Sequence, residues 1–425
     1  MKRIDSPPKP RADLLISGAV EILTCRPKGR DLIGRIREGS VAIAGERILS
    51  IGPALEVASQ VDITDAQVVD ARGKIVAPGF VDCHTHLVFG GSRVKEYALR
   101  MTRPAAEVKA LGIPTGILAT VQMTQAESVE QLTESASQRL NRMLRAGTTT
   151  AESKSGYGLN LQQEMKMLEV NRNLQSSQPV DLISTFLGAH DFPPEVSRER
   201  YIEMITQEMI PKVVETALAE ACDVYCDDGY YSVEESRKIL EAGQAYGLLP
   251  KIHTDTYSQI GGSDLAADME MISADHLNYT TRAQMKKLAQ AGVIGVIMPG
   301  LDFAVQHPRP FDARAMLEEG MTLALATDIC PACWIESLQF VMMLACRLYR
   351  LSPEEALIAS TLNGAKALRL EHDRGSLEPG KLADLQIWDV STFEDVIYRL
   401  GNNAVETVIK RGIIQVGREH RGSAR

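Results

Sequence analysis

The chain has 425 residues, 44% of them hydrophobic and 24% charged, and a formal net charge of −9. That length exceeds a single small core and suits a large barrel or two domains. The acidic balance argues against a nucleic-acid or anionic-membrane surface, where basic patches are needed.

In chain order, the basic N-terminal stretch MKRIDSPPKPRADLL lacks the apolar segment of a signal peptide. Residues 12–74 then alternate in the manner of short strands and turns, as in SVAIAGERILSIGP (40–53). From 75 to 328, short runs rich in Val, Ile and Thr recur: IVAPGFVDCHTHL (75–87), GTTTAES (147–153), DLISTFLGAH (181–190) and CDVYCDDG (222–229). LLPKIHTD (248–255), MISADHL (271–277), GVIGVIMPG (292–300) and MTLALATD (321–328) complete a set of eight. The stretches 126–145, 162–175, 233–246 and 280–291 between them have helical periodicity and length. Strands alternating with helices pair in parallel, and eight such units can close into a (β/α)8 TIM barrel.

The methionine-rich FVMMLACRLYRL (340–351) reads as a helix facing the core or a subunit interface. GSLEPGKLADLQIWDV (375–390) and VETVIKRGIIQVG (405–417) resume the strand pattern of the N-terminal segment. The expected architecture is therefore an α/β chain with a barrel at 75–375. It is inserted in a small β-sandwich built from 1–74 together with 376–425. The ends, 1–10 and 418–425, read as disordered. Seven cysteines suit a reducing compartment, and no run of about 18 apolar residues spans a membrane. A cytoplasmic protein is expected, working as a homodimer on a small molecule, with neither nucleic acid nor membrane as partner.

Titratable residues collect at one end of the eight strands. His84 and His86 come late in the first run, where residues i and i+2 of a strand share a face about 7 Å apart. His190 ends the third, His253 lies near the end of the fifth, His276 ends the sixth and Asp328 the eighth. The C-terminal strand ends form the active face of such a barrel, so six groups able to bind metal or protons converge on one mouth. Other features carry less. Cys330 and Cys333 form a C-x-x-C without a second pair and read as pocket lining, with a reactive thiol as the alternative. His307, His372 and His420 fall off the strand ends and read as loop residues.

PGFVDCHTH, the fifth- and sixth-strand histidines and ATD at strand eight, between two β-rich ends, resemble the amidohydrolase superfamily over nearly the whole chain. HTHLVFGGSR (84–93), ESKSGYGLNLQQEMKML (152–168), TFLGAH (185–190), SADHLNY (273–279) and GSLEPGKLADL (375–385) are similar, within it, to the imidazolonepropionases. The resemblance implies that His84, His86, His253 and Asp328 bind a metal and that His276 meets the attacking water or the substrate carbonyl. It also implies that Arg93, Tyr157 and His190 hold the substrate.

The residue types agree with that chemistry. Three imidazoles and a carboxylate suit one divalent ion, Zn or Fe, and leave a position for water. Asp328 can take a proton and return it to the leaving nitrogen, and His276 can donate to a developing oxyanion. Many members of the superfamily this chain resembles hold two metals through a lysine on strand four; the fourth run here has none, so the resemblance implies one ion per chain.

Three departures bear on the substrate. Ala105 stands where the family usually has a Tyr. Asp255 and Thr256 follow His253 where Glu or Gln three positions on is usual. Ile329, Cys330, Pro331, Ala332, Cys333 and Trp334 replace NPGTS-like residues that hold a carboxylate. Asp255, Thr256, Cys330 and Trp334 join the expected substrate-binding set, with the Trp334 indole reducing the room beside the metal. The expected function is hydrolysis of a C–N bond in a small five-membered cyclic amide or amidine, imidazolonepropionate or a smaller relative. A deaminase on the same scaffold is the alternative, separable by ammonia release. A non-catalytic binding protein is a third reading, opposed by the complete ligand set.

Overall fold

The computed structural model describes residues 9–417. Eight parallel strands form the barrel sheet: β6 (Phe80–Asp82), β7 (Thr148–Lys154), β8 (Asp181–Ala189), β9 (Ala221–Cys226), β10 (Leu249–Thr254), β11 (Ser273–His276), β12 (Ile294–Ile297) and β13 (Leu323–Leu325). Each pairs with its sequence neighbour, as strands joined by helical crossovers must. β6 and β13 close the ring through side chains and the segments beyond them. The Asp82 carboxylate accepts from the Thr327 amide at 3.1 Å and hydroxyl at 2.6 Å. The Asp328 amide donates to His84 O and the His86 amide to Ile329 O.

The expected helices form at Val129–Arg145, Leu161–Ser177, Val233–Ala245 and Arg282–Gln290. Three begin with a capping box, Ser128 with Gln131, Ser232 with Glu235 and Thr281 with Gln284; Asn160 caps the fourth alone. The helix Leu338–Tyr349 turns Met342 and Met343 into the core of this chain, which decides their packing role.

The two chain ends share a second sheet. In it, β1 (Leu14–Leu23), β2 (Arg35–Ala44), β3 (Arg47–Pro53), β4 (Gln67–Asp70) and β5 (Ile75–Pro78) meet β14 (Leu385–Trp388), β15 (Val405–Lys410) and β16 (Ile413–Val416). The N-terminal and C-terminal halves join where β5 runs antiparallel to β14. The run 75–87, read as one barrel strand, is therefore two strands in two sheets. The chain crosses between them at Gly79, where any Cβ would stand 2.3 Å from the Thr149 side chain.

Lys9 and Pro10 are held, the first by Ala58 O and the second by the Asp62 amide, although both were expected in a disordered end. The rest of that expectation, 1–8 and 418–425 with His420, lies outside the described residues. No described helix is long and apolar enough to cross a membrane.

Candidate metal centre and active site

His84 and His86 sit just past the end of β6 in irregular backbone, not in the strand that the i, i+2 pattern implied. The segment is pinned from outside. Arg139 donates to Leu87 O at 2.8 Å and Phe89 O at 3.1 Å, and its guanidinium lies over the Phe89 ring. Thr85 Oγ1 donates to Glu152 O, and the Lys154 amide to Thr85 O. These bonds fix the two rings with centroids 5.4 Å apart.

The other ligands arrive from across the ring. β10 pairs with β11 so that His253 lies beside Asp275 and Thr254 beside His276. His253 Nε2 is 3.5 Å from His86 Nε2, and Asp328 Oδ1 is 3.7 Å from His84 Nε2 and 3.6 Å from His86 Nε2. Bonds of about 2.0–2.2 Å to a tetrahedral ion require ligand atoms about 3.3–3.6 Å apart. His84 Nε2 and Asp328 Oδ1 are buried with no hydrogen-bond partner, the condition of atoms awaiting a cation. Burial pushes His84, His86 and His276 well below the ordinary imidazole value, so they are neutral as ligands and donors must be. Burial likewise pushes the Asp328 carboxyl up. The donor set fits a divalent metal ion.

A layer of charge beneath the ligands was not anticipated. His84 Nδ1 is 2.6 Å from Asp275 Oδ2, and His253 Nδ1 is 3.1 Å from Asp223 Oδ2. A carboxylate behind a ligating imidazole fixes its tautomer and ring plane. Lys154 Nζ lies between those carboxylates, and Lys251 Nζ pairs with Glu152 Oε1 at 2.8 Å. The signal was present: Glu152 and Lys154, Lys251 and His253, Ser273 and Asp275 are i, i+2 pairs in strands that have no solvent face.

A cavity of about 420 Å³ opens above the ligands, lined by Arg93, Tyr157, His190, Thr256, His276 and Cys330 among others. Tyr157 rides on a loop held by Glu164. That buried carboxylate accepts from the amides of Gly156 (2.9 Å), Gly158 (2.7 Å) and Leu159 (2.8 Å), which accounts for the motif 152–168. Gly156 has φ +110°, and a Cβ there would stand 3.0 Å from His190 Nδ1. The His190 ring stacks on His86 at 4.9 Å and its Nδ1 lies 3.2 Å from Gly156 O. Since a carbonyl can only accept, Nδ1 carries the proton; burial lowers the ring to about 3 and keeps it neutral. Arg93 donates to Glu96 through Nε at 2.5 Å and Nη2 at 2.8 Å, leaving Nη1 for a ligand.

Two expected substrate contacts sit differently. Asp255 is turned away into its own loop, accepting from Ser263 Oγ at 2.6 Å and Thr280 Oγ1 at 2.7 Å, and does not line the cavity. Trp334 is 48% exposed, donates to Glu336 Oε1 and packs edge-on against Phe89; it lines an adjoining outer groove, not the metal cavity. Its indole does not reduce the room beside the ligands. Cys330 does line the cavity, and its backbone pairs with that of Cys333 in both directions. Burial raises both thiols, the state of lining groups rather than of thiolate nucleophiles.

Residues 75–414 match the model of the Amidohydrolase family. The chain belongs to that family. It is 45% identical over 386 residues to an imidazolonepropionase of Geobacillus thermodenitrificans (strain NG80-2), covering 90% of this chain and 91% of the relative. Identity is 40% over 415 residues to that of Alkaliphilus metalliredigens (strain QYMF), covering 95% and 98%. Among solved structures, an adenosine deaminase from Xanthomonas campestris with bound zinc superposes with TM-score 0.70 at 19% identity, covering 96% and 94% of the two chains. Guanine deaminase of E. coli gives 0.71 at 16%, covering 95% and 99%. These last two share the fold. The enzyme is a metal-dependent hydrolase of carbon–nitrogen bonds in cyclic amides.

Proposed function

We propose that this amidohydrolase, a cytoplasmic homodimer with one Zn or Fe ion per chain, opens the ring of imidazolonepropionate or a closely related five-membered cyclic amide. The observation that carries the reading is the convergence of His84, His86, His253 and Asp328 under a cavity whose rim bears Arg93, Arg100 and Lys109. The cavity has room for a five-membered ring with an arm, and the cationic rim suits a carboxylate on that arm. The imidazolonepropionase relatives support the same ring.

His84, His86, His253 and Asp328 would hold a divalent ion, which would supply Lewis acidity and a water nucleophile at neutral pH. The chain's own groups do the rest. Asp328 accepts the proton of the attacking water and returns it to the ring nitrogen as the C–N bond breaks. His276, neutral and at the cavity floor, donates to the carbonyl oxygen as it gains charge. His190, with its proton on Nδ1, presents Nε2 as an acceptor for a ring N–H. Tyr157 and Arg93 Nη1 orient the arm.

The test is product analysis on the purified enzyme with imidazolonepropionate, the same ring without its arm, and hydantoin. Ring opening without ammonia supports the proposal. Ammonia release with the ring intact would establish the deaminase reading instead.

A further inference from the structure

Two lysines and three carboxylates lie wholly buried beneath the metal ligands, an arrangement that costs too much to be incidental. One of the five touches nearly everything else. Lys154 Nζ is 2.6 Å from Asp223 Oδ2, 3.0 Å from Glu152 Oε2 and 3.6 Å from Asp275 Oδ2. Those same two aspartate oxygens are the ones that face the histidines, Asp223 Oδ2 toward His253 Nδ1 and Asp275 Oδ2 toward His84 Nδ1. A single ammonium thus stands behind two of the three imidazole ligands.

The place it occupies is itself a set of cation ligands. One donor atom from each of Asp223, His253 and Asp275 falls within 4.8 Å of the others, a third cluster beside those of His84, His86 and His253 and of His84, His276 and Asp328. Without the ammonium, the layer holds three carboxylates against Lys251 alone, and a second divalent ion is the natural substitute. Lys154 reaches this point because β7 alternates, placing Glu152 and Lys154 on one face, while the β8–β9–β10–β11 ladders carry Asp223 and Asp275 toward it.

We infer that Lys154 is a tethered internal cation: it takes the place of a second metal ion and, through Asp223 and Asp275, orients His253 and His84 toward a single-ion site. It is a positioning residue, since it touches neither the ligand-facing nitrogens nor the cavity. The inference rests on the metal-dependent reading of the site.

The test compares the wild-type holoenzyme with Lys154→Met and Lys154→Gln, the first removing the head group and the second keeping donors without charge. Three quantities are measured: bound zinc per chain at rising free zinc, the visible spectrum of the cobalt-substituted protein, and Tm with one and with several equivalents of zinc. Wild type is expected to saturate at one ion. Both variants are expected to bind the first ion about 10–100-fold more weakly, to take up a second, and to gain Tm on doing so. Their cobalt spectra should differ from wild type, and kcat should fall while KM changes less than about threefold. Variants that still saturate at one ion, with wild-type affinity and cobalt spectrum, would overturn the inference. Should Lys154→Met fail to fold, Lys154→Gln carries the same readouts. Absence of any zinc from the wild-type protein would sink the underlying metal reading, a different result.

Discussion

His84 Nδ1 and Asp275 Oδ2 lie 2.6 Å apart, joining residues 191 positions distant in sequence. The carboxylate can only accept, so the proton sits on Nδ1 and the lone pair of Nε2 faces Asp328. Asp275→Asn can present its NH2 group to that nitrogen and favour the wrong tautomer. Zinc affinity, read by competition with a chelator, should fall about 10–100-fold. Unchanged affinity would show that the ring is held by packing alone.

Asp328→Asn tests the proton carrier. The amide keeps the shape of the side chain and its backbone bond to His84 O, so the fold should survive. Loss of proton transfer should lower kcat by at least about 100-fold. A variant within about tenfold of wild type would place the acid–base role elsewhere. Asp255 does not qualify, because Ser263 and Thr280 hold its carboxylate away from the cavity.

Glu164→Gln should act on the substrate and spare the metal. The variant has one acceptor oxygen where three amides need two, and its NH2 faces a donor. The loop bearing Tyr157 should loosen, raising KM about tenfold with zinc content unchanged. Loss of zinc in this variant would mean that the loop also supports His86.

Asp181 links the two sheets: at the start of β8, it accepts from Arg374 (2.7 Å), Lys410 (2.9 Å) and Arg411 (3.0 Å). Burial alone would raise its carboxyl, and the cations outweigh it, so the net shift is downward from 3.8. The folded pKa being below the unfolded one, its stabilisation is full above about pH 4–5 and drains away as pH falls through 3.8 and below. Asp181→Asn should cost about 2–3 kcal/mol at pH 7, and the gap to wild type should close on acidification. Denaturant midpoints at pH 7 and at about pH 2–3 measure both; a gap that is constant over that range would remove the charge from the account.

What the sequence shows of this site is its first layer. Ligands at strand ends are conspicuous because histidine is rare and the apolar runs before them are short. The charged layer beneath is harder to see: Asp223, Lys154 and Lys251 look like the solvent face of an alternating strand, yet a parallel barrel strand is buried on both faces. The backbone at the site is also hidden. Asp255 (φ 53°), His276 (φ 83°) and Asp328 (φ 49°) all adopt left-handed conformations without glycine, so no turn signature marks where the strands end, with His276 and Asp328 turned toward the cavity and Asp255 away from it. Trp334 misled for a related reason. Its place in the segment that replaces the NPGTS-like residues after Asp328 suggested a pocket position, but the tight Cys330–Cys333 pairing folds the segment back and sends the indole outward.

The placement of Trp334 changes what the substrate can be. Crowding by its indole was one argument for a ring smaller than imidazolonepropionate, beside the loss of carboxylate-holding residues at 329–334, and the cavity of about 420 Å³ is free of it. Trp334→Ala should therefore alter kcat/KM for imidazolonepropionate less than about threefold, though it uncovers Arg139 and Phe89 and should lower Tm. Arg93→Met should behave in the opposite way. Its free Nη1 is the donor placed to meet an anionic arm, so kcat/KM for imidazolonepropionate should fall about 100-fold, or roughly 2.7 kcal/mol. For the ring lacking the arm the fall should be under about fivefold, since nothing remains for the guanidinium to hold. Equal losses on both substrates would mean that Arg93 shapes the cavity through Glu96 instead of reading the carboxylate. A 100-fold loss in Trp334→Ala would return the indole to the substrate and restore the case for a smaller ring.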